Sequence, residues 1–136
     1  MDDRAVPRLS PTVLLVDDET AIRSLLARRL EASGYRVISA ASGCEALEIL
    51  TQEAVTIDLL LTDVMMPGLI GPQLAAIVQS RWPSVRRLAM TGGTTDTVLR
   101  HMGESNMQCL QKPFTDAELR EALKTALSAP ESPATQ

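Results

Sequence analysis

The sequence predicts an α/β fold: a doubly wound parallel sheet of five strands, with five helices on its two faces. Three observations predict it. Two short runs, Val13-Leu14-Leu15-Val16 and Leu59-Leu60-Leu61, are apolar at consecutive positions. That is the pattern of strands buried on both faces, as in a parallel sheet. The longer segments between the strand runs carry apolar residues at helical spacing. Strand and helix patterns then alternate five times along the chain, and right-handed crossovers between parallel strands place helices on both sides of one open sheet.

Taken in order, the first strand precedes a helix with Ile22, Leu25, Leu26 and Leu30 on one side and Arg23, Arg28 and Arg29 on the other, stopped by Gly34. The second strand, Val37-Ile38, is a weaker pattern that starts at Arg36. Ser42 and Glu45 form a capping box for the second helix. After the third strand, Pro72 suits the first turn of a helix that turns Leu74, Ile77 and Val78 inward, and Trp82 before Pro83 ends it against the core. The fourth strand is Leu88-Ala89-Met90, with Arg86-Arg87 read as its solvated start. Val98, Leu99 and Met102 suggest a shorter fourth helix, and Met107 to Leu110 a fifth strand. A second capping box, Thr115 and Glu118, opens a last helix presenting Leu119, Leu123 and Leu127. Residues 1–11 read as a flexible arm, 12–129 as the domain and 130–136 as a disordered tail.

Composition narrows the function. The 136 residues suffice for one domain and are too few for two. Tyr35, Trp82 and Phe114 are the only aromatics, so the core must be aliphatic. The net charge of −4 argues against nucleic acid as a partner, because such binders carry a basic patch. Cys44 and Cys109 have neither metal-site spacing nor a disulfide framework, and read as reduced thiols. With no signal-type or membrane-spanning apolar stretch, a soluble cytoplasmic protein without a membrane partner is expected.

In open α/β sheets, sites form beyond the carboxyl ends of the strands. The first strand is followed by Asp17, Asp18 and Glu19, the third by Asp63, the fourth by Thr91-Gly92-Gly93 and the fifth by Lys112-Pro113; the second offers only Ala40-Ala41. Each has an ordinary structural reading: a helix cap, the start of a turn, a loop, a solvated charge. Four strand ends carrying complementary groups point instead to one site. Adjacent carboxylates repel unless a cation sits among them, and hard oxygen ligands suit Mg²⁺ better than zinc or copper. A carboxylate can serve as the nucleophile of an aspartyl phosphate, and a lysine can pair with a phosphoryl oxygen. Only Lys112 and Lys124 are lysines in a chain that otherwise uses arginine.

Val16-Asp17-Asp18-Glu19, Asp63-Val64-Met65-Met66-Pro67-Gly68, Thr91-Gly92 and Lys112-Pro113-Phe114, in this order, resemble the response-regulator receiver domains of two-component signalling. The resemblance runs from about Thr12 to Ala129. It implies a flavodoxin-like, CheY-like sheet in the order 2-1-3-4-5, and a phosphoacceptor at Asp63. It also implies Mg²⁺ (with Mn²⁺ as a substitute) held by Asp18, Asp63 and the backbone carbonyl of Met65, with Asp17 acting through water. Thr91 would bind the phosphoryl group and Lys112 would pair with it. The implied partners are a histidine kinase or histidine phosphotransfer protein, and an effector or second copy at the face of the fourth helix, fifth strand and fifth helix. The chain would be either stand-alone or part of a hybrid histidine kinase, and no output domain is expected.

Two positions depart from the family pattern. Ile70 precedes Gly71 where an aspartate often stands, and Cys109 occupies the usual place of an aromatic ring that turns inward on phosphorylation. The ordinary ring switch is therefore expected to be absent, with Thr91 and its loop carrying the signal. Met65 and Gly93 cannot orient a water by hydrogen bonding, which predicts a long-lived phosphoryl group. Three other functions fit less well. An aspartyl-phosphate phosphatase usually carries a second carboxylate two residues after its nucleophile, where this chain has Met65. A phosphate-bearing cofactor would be repelled by Asp17-Asp18-Glu19. A degenerate scaffold would not need an intact acidic cluster. No enzyme activity beyond the domain's own phosphorylation and dephosphorylation is expected. His101, the only histidine, reads as a surface residue.

Overall fold

The computed structural model of the chain describes residues 10–52, 56–64, 68, 71–92 and 108–128. Its strands are β1 (Thr12–Val16), β2 (Arg36–Ala40), β3 (Leu59–Asp63), β4 (Arg86–Thr91) and β5 (Gln108–Gln111). They form one sheet in the order β2-β1-β3-β4-β5, and every pairing is parallel. Four helices lie among the described residues: α1 (Thr20–Ala32), α2 (Gly43–Gln52), α3 (Gly71–Arg81) and the C-terminal helix α4 (Asp116–Ser128). The expected helix at Val98, Leu99 and Met102 lies outside the described residues, as do Met107, residues 1–9 of the arm and the tail.

The consecutive apolar runs are explained by two separate layers. Side chains alternate across a strand, so Val13, Leu15, Leu59, Leu61, Leu88 and Met90 face Leu26 and Leu30 of α1 and Leu119, Ala122, Leu123 and Ala126 of the C-terminal helix. Leu14, Val16 and Leu60 face the other way, onto Ala46 and Leu50 of α2 and Leu74 and Val78 of α3. Each fully buried leucine contributes roughly 1.5–3 kcal/mol by leaving water. Truncating a central one, such as Leu61→Ala, should cost about 2–5 kcal/mol because the close-packed layer cannot collapse onto the void.

The helix boundaries follow local chemistry. Gly34 sits at φ 98° just past α1, a left-handed position that glycine takes without strain, and Tyr35 N donates to Leu30 O at 3.1 Å. Thr115 and Glu118 form the reciprocal box, with bonds of 3.0 and 2.8 Å. The Ser42 box is displaced by one residue: Glu45 N donates to Ser42 Oγ at 3.1 Å, but Glu45 Oε1 accepts from Ala41 N rather than from Ser42 N. Two expectations need correction. Leu25 is 44% exposed, because the apolar side of α1 is broader than the stripe the sheet covers. Arg86 and Arg87 are half-buried rather than solvated, and Arg87 Nη1 donates to Gln79 Oε1 at 2.9 Å. Cys109 is exposed on the edge strand β5. Trp82 does follow α3 and packs on the α2–α3 layer.

Candidate functional site

The site is built from the carboxyl ends of β1, β3, β4 and β5. Asp17 extends the ladder by one residue, its N–H donating to Ala40 O at 3.2 Å. Its side chain is fully buried, and Oδ1 accepts from Glu19 N at 2.9 Å. Asp18, the next residue, is exposed. Two adjacent acids thus differ sharply in burial while their carboxylates stay close. Asp63 is the last residue of β3, in register with Met90 of β4. The carboxylates of Asp17, Asp18 and Asp63 present oxygens that all lie within 4.8 Å of one another.

Lys112 is the cation that answers them. Its Nζ lies 3.4 Å from Asp63 Oδ2 and 3.8 Å from Asp17 Oδ2. Its backbone N donates to Thr91 O at 2.7 Å, which ties the end of β5 to the end of β4 and seats buried Thr91 beside it. The Lys112–Pro113 peptide is cis. Burial pushes the Asp63 carboxyl above the usual carboxylate range; Lys112 pulls it down, while Asp17 and Asp18 push it further up. Lys112 therefore only partly offsets desolvation and like-charge repulsion.

A divalent cation fits this donor set on a specific observation. Asp17 Oδ2 is buried and has no hydrogen-bond donor among the described residues, a costly state for a charged oxygen. Three carboxylates converging on such an atom offer only hard oxygen ligands. Asp17, Asp18 and Asp63 are thus the residues that could hold a metal ion. Met65, expected to add a backbone carbonyl, lies outside the described residues, as do Gly93 and His101.

Three residues near the site were not singled out from sequence. Arg23, expected on the outer side of α1, reaches back so that Nη1 donates to Asp17 O at 2.7 Å. Thr62 is fully buried and its hydroxyl donates to Asp63 O at 3.0 Å. Gly71, the first residue of α3, lies so close to Asp63 O that a Cβ would collide with it. A basic residue at helical spacing and a threonine within a strand carry no distinguishing mark in a single sequence. The Gly71 contact is tertiary, and its only trace is a glycine just before Pro72.

Comparison with known proteins places the family. The response regulator receiver domain profile matches residues 13–124. The sensor kinase CckA of Brucella abortus is 36% identical over 119 residues, which cover 87% of this chain and 13% of that protein. The transcriptional regulatory protein CpxR of Escherichia coli is 40% identical over 117 residues, covering 85% of this chain and 48% of its own length. The response regulator TrrA of Thermotoga maritima, solved in complex with Mg²⁺-BeF, superposes with a TM-score of 0.75 at 28% identity, covering 85% of this chain and 98% of that one. The chain therefore spans less than half the length of these two curated relatives. No helix among the described residues is long and apolar enough to cross a membrane. From the matched profile, the 2-1-3-4-5 parallel sheet and the acidic pocket at its carboxyl edge, this chain belongs to the response-regulator receiver domain family of two-component signalling.

Proposed function

We propose that the domain accepts a phosphoryl group on Asp63 from a phosphohistidine donor, a histidine kinase or a phosphotransfer protein. The observation that carries this reading is the placement of Asp63: a carboxylate with a largely covered side chain, 3.4 Å from the Lys112 ammonium and grouped with two further carboxylates. Asp63 Oδ attacks phosphorus, the bond to the imidazole nitrogen breaks, and the leaving imidazole takes up a proton. Lys112 stabilises charge on the phosphoryl oxygens by its position, as a preorganised cation does in acyl and phosphoryl transfer. Thr91, seated at the end of β4, supplies the hydroxyl that hydrogen-bonds the transferred group. Asp18, Asp63 and the Met65 carbonyl would hold Mg²⁺ (or Mn²⁺), with Asp17 acting through water, and the cation would neutralise carboxylates and phosphoryl oxygens. The orphaned Asp17 Oδ2 and the Mg²⁺-BeF complex of the relative TrrA support this assignment.

The signal leaves through altered protein binding. β5 and the C-terminal helix present Gln108, Cys109, Gln111, Glu118 and Glu121 to solvent, a polar face for an effector or a second copy. Incubation with acetyl phosphate and Mg²⁺ should phosphorylate the wild type. Asp63→Asn should lose the label with its fold intact, and Asp18→Ala should lose it by weakening the metal site. Equal labelling of Asp63→Asn would overturn the reading. Met65 and Gly93 predict a stable acyl phosphate: Met65→Asn should shorten its lifetime, and loss from the wild type within seconds would contradict this.

A further inference from the structure

The main-chain carbonyl of Asp63 is held on two sides. The buried Thr62 hydroxyl donates to it at 3.0 Å. Gly71 packs against it so closely that a methyl group there would also meet Val64 Cα at 3.0 Å. The atoms it would strike are backbone, which cannot swing aside as the end of a flexible side chain can. The same glycine closes the connection from β3 to α3, with Gly71 N donating to Val64 O at 2.9 Å, while Val64 N donates to Met90 O at 2.9 Å. The peptide that carries the Asp63 side chain is thereby fixed to β4, to its own strand neighbour and to the first turn of α3.

We propose that Thr62 and Gly71 are positioning residues for phosphoryl transfer: by fixing the Asp63 carbonyl they set the direction in which its carboxylate leaves the strand, towards Lys112 and the other acids. Neither touches the reacting atoms. The carboxylate starts at Cβ of the same residue, so a rotation of the Asp63–Val64 peptide moves its oxygens relative to a lysine only 3.4 Å away. Misplacements near an ångström can slow a reaction on the order of a hundredfold. This rests on Asp63 being the acceptor.

The test separates hydroxyl from shape at Thr62. Thr62→Val keeps the shape and removes the donor; Thr62→Ser keeps the donor and removes the methyl. Phosphorylation rates with acetyl phosphate at saturating Mg²⁺ should fall several-fold for Thr62→Val and stay near wild type for Thr62→Ser. Mg²⁺ affinity, read by calorimetry without a phosphodonor, should weaken in the same order. A packing role predicts the reverse, with the serine variant impaired. Gly71→Ala should be slower by about tenfold or more, whereas Val78→Ala, a core truncation in α3, should lower the melting temperature without slowing phosphorylation. If Gly71→Ala fails to fold, the Thr62 pair still decides. Wild-type rates in both Thr62→Val and Gly71→Ala, with Asp63 labelled, overturn the positioning role alone. Absence of label on Asp63 of the wild type overturns the underlying reading instead.

Discussion

Asp58 and Asp63 bracket the same strand, β3, and have opposite fates. At the amino end, Asp58 is satisfied by its neighbours: Oδ2 accepts from Thr12 N at 2.8 Å, its N–H donates to Thr12 O at 2.9 Å, and its carbonyl accepts from Arg86 N at 3.0 Å. It joins β1, β3 and β4 where their ladders begin. At the carboxyl end, Asp63 is pushed above its ordinary range by burial and faces two more acids, one of which keeps a buried oxygen with no hydrogen-bond donor among the described residues. A carboxylate tied to a backbone N–H where the strands begin is structural. One left electrostatically unsatisfied in a cluster is poised to receive a cation and a phosphoryl group.

The largest contrast should come from neutralising each end in turn. Asp63→Asn should abolish phosphorylation. Asp58→Ala should leave the rate within about twofold while lowering stability by roughly 1.5–3 kcal/mol, the scale of one lost hydrogen bond to a charged group. A phosphorylation defect in Asp58→Ala with full stability would break the comparison. Lys112→Met should come next. Removing a preorganised charge from a transfer site costs on the order of a hundredfold in rate, and without Mg²⁺ it takes from buried Asp17 Oδ2 the ammonium 3.8 Å away, so the variant should also melt earlier than wild type.

The raised Asp63 pKa sharpens the contrast through pH. In the folded state this group binds its proton more readily than in the unfolded chain, so its contribution to stability is present below the ordinary carboxylate pKa and is lost as pH rises through the folded value. At neutral pH without metal, Asp63→Asn should therefore be more stable than wild type, and the difference should shrink as the solution is acidified into the carboxylate range. Thermal melts of both proteins across pH check the sign; a variant less stable at neutral pH would contradict it.

The smallest expected effect lies at the edge strand. Cys109 is exposed, although partial burial pushes its thiol above the usual value. It has too little volume to drive a ring switch. Cys109→Tyr should leave phosphorylation unchanged and alter partner binding or self-association. A slowed phosphorylation would tie this position to the site itself.

Of the two ends of β3, the sequence marked Asp63 and gave no sign of Asp58. The doubly buried runs at Val13–Val16 and Leu59–Leu61 identified two strands covered on both faces, because such burial leaves no polar alternation, and the structure pairs them in the sheet. The rule that sites gather beyond carboxyl strand ends then brought Asp17, Asp18, Asp63, Thr91 and Lys112 together before any coordinates. What sequence could not supply was direction. It could not say which of two adjacent acids is buried, that Leu25 lies beyond the covered stripe, or that Cys109 stands on an exposed edge. Nor could it place Gly71 against the Asp63 carbonyl, a contact between segments that meet only after the sheet and α3 have packed.

The most direct test of the central claim is to locate the phosphoryl group chemically. Reducing the acyl phosphate with borohydride converts the acceptor aspartate to homoserine, which peptide mass spectrometry can assign to one residue. After incubation with acetyl phosphate and Mg²⁺, homoserine should appear at Asp63 and at neither Asp17, Asp18 nor Asp58. Homoserine at any of those three, or none at Asp63, would contradict the account.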